Sequence, residues 1–345
     1  MTSTYTKRAA TIGIGAIGVF AFWALGLPLP FLLGPMFFCL LAALGGAKMQ
    51  DFGKLGFAFR TILGVAAGSS ITPDVVQALP GMALSLLTVP VFILATAVTS
   101  YPLLRRLFRF DPVTSYYSAM PGGLQDLIVF GEAAGANLRV LSLIHATRVL
   151  CIVSIAPLVL NLWWDVDLTA PPGMPGIETP PLQIALMVFA GLAGWWGANR
   201  LNILGASIIG PMILTAALSI SGIITQRPPA EMIWASQFVI GIGVGAKYVG
   251  VTWSELQRVV VAGVLNAGLL AGVSAVFIAA AVAMSLSPVL DAFLAFLPGG
   301  QGEMVVLAII AGADLTYVVL HHVLRIALVV VGAPLFLQVF HKPQK

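Results

Sequence analysis

Charge is what this sequence most lacks. Asp, Glu, Lys and Arg together make up 9% of its 345 residues, too few to cover a soluble globule of that size. Hydrophobic residues make up 59% and the mean hydropathy is +1.01, so the chain reads as an integral membrane protein. Cysteine is nearly absent. Cys39 and Cys151 both lie inside apolar runs with no thiol or histidine at metal-ligand spacing, which excludes a disulfide framework and a zinc site. Long polar stretches are missing too, leaving no room for a soluble domain. The net charge of +4 arises mainly in short loops beside apolar runs, where basic residues orient helices in a bilayer and imply no nucleic-acid partner.

Apolar runs fall at approximately 9–26, 28–47, 55–71, 79–104, 113–136 and 138–161, then at 181–199, 202–223, 233–251, 259–285, 288–313 and 315–339. Each is long enough to cross the hydrocarbon core as a helix. Lys7 and Arg8 precede the first run and no small-residue cleavage site follows it, so a membrane helix is expected there, not a signal peptide. The segment 162–180 carries Asp165, Asp167, Glu178 and several prolines without a Lys or Arg. It divides the chain into an expected repeat 1 (1–161), a linker (162–180) and a repeat 2 (181–345).

The division rests on an internal repeat. Pro121-Gly122-Gly123-Leu124-Gln125-Asp126 returns 177 positions later as Pro298-Gly299-Gly300-Gln301-Gly302-Glu303. At the same offset, Gly135-Ala136-Asn137-Leu138 matches Gly312-Ala313-Asp314-Leu315, His145 matches His322, and Arg148 matches Arg325. Gly64-x-x-x-Gly68 matches Gly241-x-x-x-Gly245, small residues at a spacing that lets helices approach closely. Leu33-Gly34-Pro35-Met36 resembles Ile209-Gly210-Pro211-Met212 at an offset one shorter. Two halves sharing a helix-breaking element within lipid-like sequence are a pattern of transporters built from repeats.

Proline lacks the N–H donor and glycine carries the entropy cost, so each Pro-Gly-Gly is expected to end one helix and start another. Loop charge then sets the topology. If 113–136 enters and returns as a re-entrant hairpin, Lys7, Arg8, Lys48, Lys54, Arg105, Arg106, Arg109, Arg139, Arg200, Arg258, Lys342 and Lys345 all fall on the cytoplasmic side, and only Arg227 falls clearly outside. The expected fold is therefore all-α, with about ten transmembrane helices plus two re-entrant Pro-Gly-Gly hairpins. The repeats are inverted, both termini are cytoplasmic and the linker is extracytoplasmic.

The half-helices beginning near Leu124 and Gln301 expose N–H groups suited to an anion. Asp126 and Glu303, in the first turn after each break, admit two compatible readings: capping of backbone N–H groups, or carriage of a coupling proton or cation at membrane depth. His145 with Arg148, and His322 with Arg325, each share a helix face. They either compensate the two carboxylates or bind an anionic solute and relay a proton. His321 has no repeat counterpart and is expected to be structural, while Asn137 and Asp314 read as helix N-caps.

At the Pro-Gly-Gly-x-x-acid segments, with the Gly-Ala-Asn/Asp-Leu and His-x-x-Arg that follow, the sequence resembles the bacterial AbrB membrane-protein family over essentially its whole length. Residues 297–304 match more closely; the first half departs with Asp126-Leu127 where Glu-Met is usual. The resemblance implies a duplicated domain in the bacterial cytoplasmic membrane. The family's labels, ammonia monooxygenase and AbrB-type regulator, disagree. Oxygen activation at copper or iron needs a cluster of ligands with open positions, and only four histidines are present. Direct DNA regulation would need a basic recognition element that is missing.

The sequence therefore points away from an enzyme and toward a secondary transporter of a small, anionic solute coupled to H⁺ or Na⁺, with no other cofactor and no metal centre. Its candidate site comprises Pro121, Gly122, Gly123, Gln125, Asp126, His145, Arg148, Pro298, Gly299, Gly300, Gln301, Glu303, His322 and Arg325. Its partners are the lipid bilayer and the solute, and a homo-oligomer is left open. The alternative is a membrane sensor that affects gene expression indirectly by binding a ligand.

Overall fold

The computed structural model describes residues 4–203 and 206–340; the side chains of Gln125 and Asp126 lie outside the described residues. The protein is all-helical, with 78% of the chain in helices and no strand among the described residues. The first half runs α1 (Thr4–Ala24), α2 (Pro30–Leu44), α3 (Lys54–Ser69), α4 (Pro73–Leu86), α5 (Thr88–Pro102), α6 (Pro112–Ala119), α7 (Leu124–Ala133) and α8 (Leu138–Trp164). The second runs α9 (Pro181–Arg200), α10 (Ala206–Ile220), α11 (Ala230–Gly245), the short α12 (Trp253–Glu255), α13 (Val261–Ala283), α14 (Val289–Phe296), α15 (Gln301–Ala311) and α16 (Leu315–Phe340).

Five stretches are long and apolar enough to cross a membrane: Pro80–Leu107, Leu138–Trp164, Pro181–Arg200, Trp253–Ala283 and Leu315–Leu337. Other expected spans are shorter as helices than as apolar runs. α2 and α10 have 15 residues each and α3 and α11 have 16, about 23 Å of rise against a core of roughly 30 Å. Local chemistry trims them. α2 starts at Pro30, behind Leu29 in the left-handed region (φ 47°), and gives way to Gly46 at φ 85°. Apolar residues beyond those points continue the hydropathy signal without continuing the helix.

The described chain forms two compact units, each drawing on both halves of the sequence. The first holds residues up to Gln77, Val153–Thr252 and Gly302–Thr316; the second holds Ala78–Ile152, Trp253–Gln301 and the chain from Tyr317 onward. In the first unit, helices from opposite halves pack on glycine. A Cβ placed on Gly68 of α3 would meet Thr215 Cβ of α10 at 2.7 Å, and one on Gly245 of α11 would meet Cys39 Cβ of α2 at 2.7 Å. Gly68 and Gly245 are repeat equivalents, so the two contacts are reciprocal. Within each half, Gly18 of α1 abuts Gly34 of α2, and Gly194 of α9 abuts Gly210 of α10. The Gly-Pro-Met segments are thus close-packing points inside helices.

In the second unit, Val113, Tyr117, Met120, Leu127, Leu141, Val329 and Ala333 form one apolar core. Phe92, Ala281, Ala292, Ala295, Phe296 and Tyr317 form another. α6 is started by Asp111, whose Oδ1 accepts the Thr114 N–H at 2.8 Å, and by Pro112 behind it. It stops at Met120, which turns extended (φ −73°, ψ 133°) because the following proline excludes the helical region. Leu297 before Pro298 ends α14 the same way, at φ −60° and ψ 131°. α7 and α15 end on Gly135 (φ 82°) and Gly312 (φ 67°), the left-handed position that favours glycine. The chain then folds back at the first break. Asn137 donates its N–H to Thr114 Oγ1 at 2.7 Å, bringing the end of α7 to the start of α6, and its Oδ1 caps α8 through the Val140 N–H at 3.1 Å.

Candidate functional site at two helix breaks

A helix that stops inside apolar surroundings leaves carbonyl groups without intrahelical donors. At the first break those carbonyls are met by α8. Arg148 donates from Nη1 to Met120 O and from Nη2 to Gly122 O, both at 3.0 Å, and His145 Nε2 lies 3.1 Å from Tyr117 O. The second break repeats the arrangement. Arg325 of α16 donates to Leu297 O at 3.1 Å and to Gly299 O at 3.4 Å, and His322 Nε2 lies 2.9 Å from Leu294 O. Every partner is displaced by 177 positions. The planar guanidinium can bridge two carbonyls where an ammonium would be a point charge, which accounts for arginine at both positions.

These side chains are deeply buried. His145, Arg148, His322 and Arg325 are at most 3% exposed. Pro121, Gly122, Pro298 and Gly299 are buried, while Gly123 and Gly300 are half-buried. The first break abuts α16 within the second unit: a Cβ on Gly122 would meet Val329 Cγ1 at 2.8 Å, and Val329 is one turn beyond Arg325 on α16. Gln301 and Glu303 in the first turn of α15 are 7% and 8% exposed. Gln125 and Asp126 fall in the first turn of α7, their side chains outside the described residues.

The histidines differ in one respect. His322 Nδ1 accepts from Arg325 Nη2 at 2.7 Å, so Nε2 carries the ring proton and donates to Leu294 O. His145 Nδ1 has no hydrogen-bond partner among the described residues. His321 bonds at both nitrogens, to Ser85 Oγ and to Tyr317 O, each at 2.8 Å, and packs edge-on against the Phe296 ring and at a tilt against the Tyr317 ring. Among the described residues no three His, Cys, Asp or Glu side chains gather as a metal-binding group.

Sequence reasoning passed over Ser118 and Asn266. Both are fully buried, with Ser118 Oγ and both Asn266 side-chain polar atoms lacking partners among the described residues. Their repeat positions hold Ala295 and Val89, so a search for shared residues misses them. The available signal was the opposite one: a polar residue in an apolar run whose equivalent is apolar.

Comparisons with known proteins cover most of the chain. A family model described as "Transition state regulatory protein AbrB" matches residues 31–341. A Bacillus subtilis (strain 168) protein named "Uncharacterized protein YhjN" is 27% identical over 298 residues, 81% of this chain and 77% of that one. An Escherichia coli (strain K12) protein named "Putative regulator AbrB" is 25% identical over 322 residues, 91% of this chain and 90% of that one.

Proposed function

The chain belongs to the AbrB family, and we propose that it is a secondary transporter of a small anionic solute, driven by H⁺ or Na⁺, and not an enzyme. The observation that carries this reading is the duplicated break: two Pro-Gly-Gly interruptions, each held open by an Arg and a His from the following helix. Interrupted backbone is tolerated at membrane depth where protein or a watery cavity surrounds it, and such breaks form the solute sites of repeat-built transporters.

Lengths support re-entry. α6 and α14 have 8 residues, α7 has 10 and α15 has 11, about 12 to 17 Å each, so each penetrates about half of a roughly 30 Å core. The Asn137–Thr114 bond brings the first hairpin's ends together on one side. If the shorter helices α2, α3, α10 and α11 also cross, each half crosses five times, the halves are inverted, the linker is outside and both termini are in the cytoplasm. Site residues divide into a frame and a lining. Arg148, Arg325 and the histidine Nε2 atoms hold the tips of the breaks, and Asp126 and Glu303 carry the coupling proton or cation.

The test is uptake of labelled small carboxylates into proteoliposomes under an imposed proton or Na⁺ gradient. Gradient-driven accumulation that Asp126→Asn and Glu303→Gln abolish is expected. Binding of a carboxylate with no accumulation under either gradient would overturn transport. It would favour a second reading, to which the name of the Escherichia coli relative also points, of a membrane sensor acting on gene expression through a bound ligand.

A further inference from the structure

Two arginines from distant parts of the sequence anchor one short loop in the second unit. Arg258 donates from Nη2 to Phe108 O at 2.9 Å and approaches Arg109 O at 3.5 Å, with its guanidinium carbon 5.1 Å from the centre of the Phe110 ring. Arg105 donates from Nη1 to Phe110 O at 2.9 Å. Arg106 and Arg109 belong to the same segment, and all four arginines are exposed. Two carboxylates stand near them: Asp111 is committed to the cap of α6, and Glu255 pairs with Arg139 at 3.1 Å. Positive charge is therefore in excess. The repeat does not require it, because the positions equivalent to Arg105, Arg106, Arg109 and Arg258 hold Val282, Ala283, Leu286 and Gly81. Three of the arginines sit on π-helical turns, Arg105 and Arg106 in Leu103–Leu107 and Arg258 in Leu256–Val260, an irregularity that gathers at functional sites.

The place of this cluster in the fold identifies its partner. Two of the stretches long and apolar enough to cross a membrane, Pro80–Leu107 and Trp253–Ala283, end and begin here, and the Arg258 contacts hold those two ends together. Beside the charges, Leu107, Trp253, Val261 and Leu265 are exposed and apolar. A soluble anion would match the arginines alone, whereas a lipid matches both surfaces, and tryptophan favours the headgroup level of a bilayer. We propose that the cluster is a site for an anionic phospholipid, whose phosphate the guanidinium groups hold while its acyl chains lie on the neighbouring apolar surface. A guanidinium has five N–H donors, so anchoring to the loop leaves donors on Arg105 and Arg258 for phosphate oxygens. Anchoring also fixes where these side chains stand, which lowers the ordering cost of binding. The proposal is independent of the transport reading, since none of these residues belongs to the helix breaks.

The test is native mass spectrometry of the full chain in detergent with equal amounts of phosphatidylglycerol, whose headgroup is anionic, and phosphatidylcholine, whose headgroup is zwitterionic. Phosphatidylglycerol is expected to be preferred by more than about tenfold. Arg106→Gln with Arg109→Gln, two exposed changes that spare the loop anchors, removes most of that preference, at about fivefold for each arginine. Arg258→Gln weakens it as well. Arg227→Gln, which removes an exposed arginine outside the cluster, leaves it unchanged. Equal retention of the two lipids overturns the proposal, as does a preference that survives both the double variant and Arg258→Gln, or one that Arg227→Gln reduces as much as the double variant. Displacement of the lipid by an equal concentration of glycerol 3-phosphate also overturns it, and would assign the cluster to a soluble phosphate ester.

Discussion

Ser236 donates its hydroxyl to the carbonyl of Phe59 at 2.8 Å across a separation of 177 residues, the offset of the sequence repeat. Each residue is the other's equivalent. Neighbouring contacts between the halves come in reciprocal pairs, Gly68 with Thr215 and Gly245 with Cys39. The first compact unit takes helices from both halves.

Close approach at those glycines is needed for the fold. Gly245→Leu forces a side chain against Cys39 of α2 and is expected to cost at least 1–3 kcal/mol, roughly the penalty of overpacking; Gly68→Leu does the same against Thr215. Gly243, with open space where a Cβ would stand, is the control, and Gly243→Ala is neutral or stabilising by up to about 1 kcal/mol. Thermal unfolding of the detergent-solubilised protein checks all three. Equal melting temperatures would remove the close contact from the account.

The arginines at the breaks are tested by lysine. Arg325→Lys keeps the charge but loses the fork that spans Leu297 O and Gly299 O, leaving one buried carbonyl unmet at a cost of about 1–3 kcal/mol. Arg148→Lys has the same expected cost, because its partners are equivalent. Denaturant titration reads both. An unchanged midpoint would mean that the carbonyls find other donors.

Much of this was legible in the sequence, for identifiable reasons. Proline forces the residue before it out of the helix, so the stops at Met120 and Leu297 follow from Pro121 and Pro298, and Gly135 and Gly312 announce the ends of α7 and α15. Asn137 was readable as a cap because its side chain acts locally. The backbone carbonyls that meet Arg148 and Arg325 were not, since every residue has one and nothing in the sequence singles out those of Met120, Gly122, Leu297 and Gly299. The pairing of α3 with α10 and α2 with α11 was equally hidden: a Gly-x-x-x-Gly face shows that a helix packs closely, but not which one. Hydropathy also overstated α2, α3, α10 and α11, because apolar residues outside a helix still raise the average.

In the linker, Thr169 donates both its hydroxyl (2.6 Å) and its N–H (2.9 Å) to Asp167 Oδ1, holding the carboxyl below its ordinary range because both bonds favour the charged form. The local order this supports is present at neutral pH and lost as pH falls through the lowered Asp167 value. Thr169→Val removes the hydroxyl bond, and the Asp167 titration followed by carbon NMR moves up toward an ordinary aspartate. A midpoint that stays in place would assign the lowering to another cause.

Inversion of the repeats is tested most directly by the sidedness of residues 162–180. Single cysteines placed there, in a variant lacking Cys39 and Cys151, are labelled with a membrane-impermeant reagent in intact cells. The account predicts labelling from outside, because five spans and a re-entrant hairpin carry the chain across an odd number of times. Protection until the membrane is permeabilised would give each half an even number of crossings, make the broken helices full spans, and contradict it.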